Sequence, residues 1–160
     1  MGRIPTIICL FFGSLNKSIL HAAIRLLSRR EHSVKELRQK LLTKSFESEE
    51  ITPVIEFLLD NDYVSNIRFA ESVIRNKISR GYGWQHIQQE LKHKGVSQEI
   101  YGAVLAEQEV DWYLQAELAY QKKYGDTVAE DAKDKAKRLR FLQYRGYSID
   151  ECLSALKVEY

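Results

Sequence analysis

The residues able to do chemistry in this chain are few, and most stand alone. His86 and His93 are seven apart and share a helical face, the spacing at which two imidazoles could begin a zinc site. No further ligand is suggested nearby, so a metal role is not expected. The carboxylate pairs Glu49-Glu50 and Glu130-Asp131 sit in solvated charge runs, where general acid–base work would lack a pocket. Cys9 and Cys152 lie in different segments with no CxxC, which reads as a reducing cytosol and no disulfide framework. There is no phosphate loop, dinucleotide fingerprint, nucleophile elbow or HExxH helix. The expectation is a protein without catalytic residues, metal or cofactor.

What recurs is arginine. REHSVKELRQKL (Arg30 to Leu41) overlays RGYGWQHIQQEL (Arg80 to Leu91) at a shift of 50, and RGYSIDECLSAL (Arg145 to Leu156) overlays that at a further 65. Arg30, Arg80 and Arg145 coincide, as do His32, Tyr82 and Tyr147, then Val34, Trp84 and Ile149, and finally Leu41, Leu91 and Leu156. Cys152 aligns with Leu37 and Ile87, which makes it a small buried hydrophobe. The arginines have two readings. A cation in the last turn of a helix meets the C-terminal dipole favourably, and a row of arginines along a shared edge is a binding surface. Tyr82 and Tyr147 read as tyrosines packed in the turn between two helices.

The elements that position these residues are helices. Leu, Glu, Gln, Lys and Ala are abundant, and two prolines and eight glycines in 160 residues leave long periodic runs intact. Gly83 can cap a helix carrying Trp84, Ile87 and Leu91 on one face, and Gly95 fits the left-handed position that ends it. Ser33 with Glu36, and Ser148 with Glu151, have the form of capping boxes. Ser14 or Asn16, Ser65 and Ser97 are further caps. Val54, Ile55, Leu58 and Leu59 make the expected buried side of a third helix. Leu41, Leu91 and Leu156 are expected to be buried at equivalent places. A charged helix is expected from Asp126 to about Arg145, and the 15-residue difference between the two shifts predicts an inserted helix between copies two and three. The fold class is all-α, with three tandem three-helix repeats forming an elongated, curved array. The divisions are a hydrophobic arm over 1–15 and repeats over 16–62, 63–109 and 110–160. The arm, about a dozen apolar residues, falls short of the ~20 that span a bilayer, so no membrane insertion is expected.

Charge excludes a strong polycation: 24 basic and 22 acidic residues leave a formal +2. Between Val64 and Ser97, however, six basic residues face two acidic ones. Each copy's turn between helices resembles a helix-turn-helix, and Gln85, Gln88 and Gln89 suit base edges. Their equivalents are Lys35, Arg38 and Gln39, then Asp150, Leu153 and Ser154, three unrelated surfaces that suit a scaffold better than a base code.

RFAESVIRNKISRGYGWQHIQQELKHKGVSQEI (Arg68 to Ile100) closely resembles the central signature of the RecX family, bacterial regulators of the RecA recombinase. RREHSVKELRQKLLTKSF (Arg29 to Phe46) and RFLQYRGYSIDEC (Arg140 to Cys152) are similar to that family's first and third repeats. DNDYVSNIRFA also agrees, although the family usually has an acidic residue where Ser65 or Asn66 stands. The resemblance runs from about Lys17 to Leu156. It implies a cytoplasmic, non-enzymatic, monomeric protein that binds the RecA–DNA filament. Such a protein would inhibit the filament's ATPase, strand-exchange and coprotease activities, restraining homologous recombination, DNA repair and the SOS response. Weak, non-specific contact with single- and double-stranded DNA is expected beside it. The candidate partner- or nucleic-acid-binding residues are Arg30, Arg75, Lys77, Arg80, Lys92, Lys94, Arg138, Arg140 and Arg145. The alternative is a helix-turn-helix DNA-binding repressor.

Overall fold

A computed structural model of the chain describes residues 15–157. All regular structure among them is helical: α1 (Lys17–Leu27), α2 (Val34–Thr43), α3 (Ser48–Asp60), α4 (Asn66–Ser79), α5 (Trp84–His93), α6 (Gln98–Gln108), α7 (Trp112–Tyr124), α8 (Ala132–Tyr144) and α9 (Ile149–Ala155). The hydrophobic arm, apart from Leu15, lies outside the described residues. No helix among those described is long and apolar enough to cross a membrane. The chain divides into two compact units, one ending at Phe69 and the other beginning at Ala70, so the boundary falls within α4.

In the first unit the apolar period of each helix decides what is inside. Ile19, Leu20 and Ala23 of α1 meet Leu37 and Leu41 of α2 and Ile51, Val54, Ile55 and Leu58 of α3. Leu59, expected inside, is 44% exposed. It lies a further 100° round the helix from Leu58, and Ile51, one full heptad before Leu58, takes the buried place instead. N-caps start these helices where the sequence signals them. Asn16 Oδ1 accepts from the amides of Ser18 and Ile19 at 3.0 and 3.2 Å, and Ser33 Oγ accepts from Glu36 N at 3.0 Å. A side-chain cap of this kind contributes about 1 kcal/mol.

The second unit holds the rest of α4 and α5 to α9. Ser65 Oγ, still in the first unit, caps α4 through Arg68 N, and Ser97 Oγ in the second caps α6 through Ile100 N. Leu37, Ile87 and Cys152 are all fully buried, as their alignment requires. Leu41 and Leu91 are as well, but Leu156 is only partly so. The cause is helix length. α9 ends at Ala155, which makes Leu156 its C-cap, and Ala155 fills the core. α8 starts at Ala132, capped by Asp131, and not just after Asp126; residues 126–131 form a loop behind Gly125, whose φ is +64°. The expected insertion is α7. It packs on α8 and α9 as α3 packs on α1 and α2, so the third copy meets its covering helix before its helix–turn–helix pair.

Candidate partner-binding site

Two turns build the site. At the end of α4, Gly81 N donates to Ile78 O at 2.9 Å and Tyr82 N to Lys77 O at 3.0 Å. After α8 the pattern repeats: Gly146 N to Gln143 O at 3.0 Å and Tyr147 N to Leu142 O at 3.2 Å. This closure requires a left-handed residue, and Gly81 and Gly146 have φ of +82° and +96°. The turns then bind each other. Gly83 N donates to Arg145 O at 2.7 Å, and Gln85 N to Gly146 O at 3.0 Å. Two of the orphan amides at the start of α5 are thereby satisfied by the third copy's carbonyls, the task that Ser33 and Ser148 hydroxyls perform for α2 and α9.

This junction gathers cations round one ring. Arg145 Cζ and Lys77 Nζ each lie 4.8 Å from the Tyr82 ring centroid, and Arg80 Cζ lies at 5.8 Å. The ring itself stacks on His86 at 4.3 Å. Arg145 Nη1 donates to Arg80 O at 3.0 Å, and its guanidinium also lies 5.3 Å from Phe141, which Lys123 Nζ approaches at 5.9 Å. Lys77 Nζ is paired with Glu90 at 2.7 Å. Burial first, then the Lys77 charge, hold the His86 imidazole below its ordinary value, with Glu90 opposing. His86 is therefore neutral at pH 7, and its 3.9 Å approach to Glu90 is not an ion pair there.

Of the nine candidate residues, then, three come together: Lys77, Arg80 and Arg145. Arg75, Lys92 and Arg140 are exposed on α4, α5 and α8, and Lys94 is the half-buried C-cap of α5. Arg30, in the first unit, is bidentate on Glu36, Nη2 to Oε1 at 2.7 Å and Nη1 to Oε2 at 3.1 Å. Arg138 is turned inward, 6% exposed, and this removes it from any outer surface. Its guanidinium donates to Tyr120 Oη and Thr127 O, both at 2.7 Å, and to Asp134 Oδ2 at 3.0 Å, and it lies 4.6 Å from the Tyr124 ring. Asp134, one helical turn earlier, is the sequence signal for an i, i+4 pair, whereas the inward partners Tyr120 and Thr127 lie too far along the chain to be read locally. The contact between the two turns has no such local signal.

Comparison with known proteins follows the same three-part division. The RecX models for a first, second and third three-helix domain match residues 20–58, 67–105 and 109–156. The chain belongs to the RecX family. The regulatory protein RecX of Vibrio campbellii is 45% identical over 138 residues, which are 86% of this chain and 89% of that one. The regulatory protein RecX of Halorhodospira halophila is 36% identical over 143 residues, 89% of each. The crystal structure of RecX from Lactobacillus salivarius shares the fold, with a TM-score of 0.69 at 22% identity over 88% of this chain and 94% of that one. The crystal structure of another regulatory protein RecX gives 0.73 at 20% identity over 89% and 73%. The curated relatives are named as regulatory proteins, and the two crystal structures share the all-α fold of this chain.

Proposed function

We propose that this RecX-family chain is a cytoplasmic, monomeric, non-enzymatic negative modulator of RecA. It binds the RecA–DNA filament and lowers its ATPase, strand-exchange and coprotease activities, and so acts on DNA repair, homologous recombination and the SOS response. The observation that carries this reading is the cation cluster on Tyr82, held by backbone hydrogen bonds between two copies of the repeat. With Lys77 neutralised by Glu90, it holds Arg80 and Arg145 side by side in a preorganised arrangement suited to grip an acidic assembly. Repeats also allow several weak contacts to combine through effective concentration, so no single contact has to be strong. Contact with single- or double-stranded DNA is secondary in this reading, weak and non-specific.

The test is single-stranded-DNA-dependent ATP hydrolysis by RecA with this protein present at sub-stoichiometric ratio. Hydrolysis falls if the reading holds, and undiminished hydrolysis at equimolar protein overturns it. A helix-turn-helix repressor would instead prefer one duplex sequence over random duplex by about a thousandfold or more.

A further inference from the structure

The three aligned arginines do not have the same partners. In the first copy Arg30 grips Glu36, six residues on, with both arms of its fork. Six residues after Arg80 stands His86, which stacks on Tyr82. Six residues after Arg145 stands Glu151, but its Oε2 accepts from Ser148 N at 3.1 Å and Ser148 Oγ at 2.9 Å in a full capping box. Among the described residues no carboxylate pairs with Arg80 or Arg145. One arm of Arg145 is anchored on Arg80 O, which leaves the rest of its fork aimed and unspent. Arg80 is exposed beside it.

We infer that Arg80 and Arg145 are a docking site for carboxylate side chains of a protein partner, at the repeat position where the first copy supplies that carboxylate from within. The fork geometry that Arg30 shows towards Glu36 is what a bidentate acid requires. A single-stranded nucleic acid would also want an open aromatic face for its bases, and the Tyr82 ring is already stacked on His86 and flanked by three cations. Lys77 is paired with Glu90, so the net positive charge of the site is that of Arg80 and Arg145. The identity of the partner as the filament protein rests on the proposed function; the carboxylate preference does not.

The test therefore has an arm that needs no filament. The full chain is titrated with an acetylated, amidated tetraglutamate peptide while the arginine Nε–H resonances are followed. A thymidine tetranucleotide is titrated in parallel. The peptide should shift Arg80 and Arg145 and leave Arg30 in place, and Arg80→Gln should weaken it about tenfold or more. His86→Glu recreates the acid of the first copy and should close the site without removing a cation. Gln89→Glu, an equal change of charge on the exposed face of the same helix, should leave binding unchanged. Absence of shifts, equal response of Arg30, tighter binding of the tetranucleotide at the same arginines, or equal loss in both glutamate variants each overturns the inference. On RecA filaments, wild-type binding by a folded Arg80→Gln protein overturns it as well. A wild-type chain that takes the peptide but not the filament overturns only the proposed function.

Discussion

Gly83 and Gly146 meet backbone to backbone, and neither has room for a side chain. A Cβ on Gly83 would overlap the carbonyl carbon of Gly146, and one on Gly146 would overlap the backbone nitrogen of His86. The second copy therefore gives up the side-chain cap present in the other two and takes its cap from the third copy's main chain.

Gly83→Ala should destabilise by about 1–3 kcal/mol, the cost of overpacking against atoms that cannot yield. Gly146→Ala should cost more, because its φ of +96° adds backbone strain. Urea denaturation of both variants checks the order; a neutral Gly83→Ala would mean that the two turns do not touch.

Arg30 and Arg80 should separate in stability. Glu36 is 6% exposed, so Arg30→Gln strips a buried carboxylate of its bidentate partner. The loss should be on the order of 1 kcal/mol, since Arg30 itself is half exposed and water screens the pair. Arg80→Gln, at an exposed side chain with only a ring contact, should leave the urea midpoint unchanged.

Arg138→Gln and Arg140→Gln remove the same charge two residues apart. The first strands Tyr120 Oη and Thr127 O and frees the loop over 126–131, so its melting temperature should fall. The second is at an exposed site on α8 and should melt as wild type does. Equal melting temperatures would contradict the inward placement of Arg138.

Acid should weaken the fold through two histidines. His32 is buried, with Nδ1 3.0 Å from Arg30 O and Nε2 3.2 Å from Lys40 Nζ, an arrangement that suits the neutral ring. Burial, then the Arg30 charge, hold it below its ordinary 6.5, as burial and Lys77 do for His86. The folded chain thus binds fewer protons than the unfolded one. Stability is full above about 6.5 and falls as pH drops from there towards the depressed folded values. Urea midpoints at pH 7.5 and 5.5 should show the decline, and it should be smaller in the His32→Gln and His86→Gln double variant.

Cys152 should be inert in the native state. It is fully buried, and burial followed by the Glu151 charge pushes its thiol up to about 12. Iodoacetamide at pH 8 should leave the Cys152 peptide unmodified until denaturant is added. Labelling at the same rate with and without urea would contradict this.

The sequence alone determined most of the helix starts and most of the residues they bury. The exceptions are the start of α8 and the incomplete burial of Leu59 and Leu156. Asn16, Ser33, Ser65, Ser97 and Ser148 act within three or four residues of their own position, and the period that buries Leu37, Ile87 and Cys152 is equally short-ranged. Only the tertiary structure decided what the aligned arginines do: one holds Glu36, one is exposed beside Tyr82, and one crosses between copies to Arg80 O. A guanidinium on a long, flexible stem reaches partners that lie far along the chain, so packing selects its contacts and local pattern does not. The same holds for Gly83 and Gly146, 63 residues apart in sequence, whose lack of side chains is required by each other's backbone.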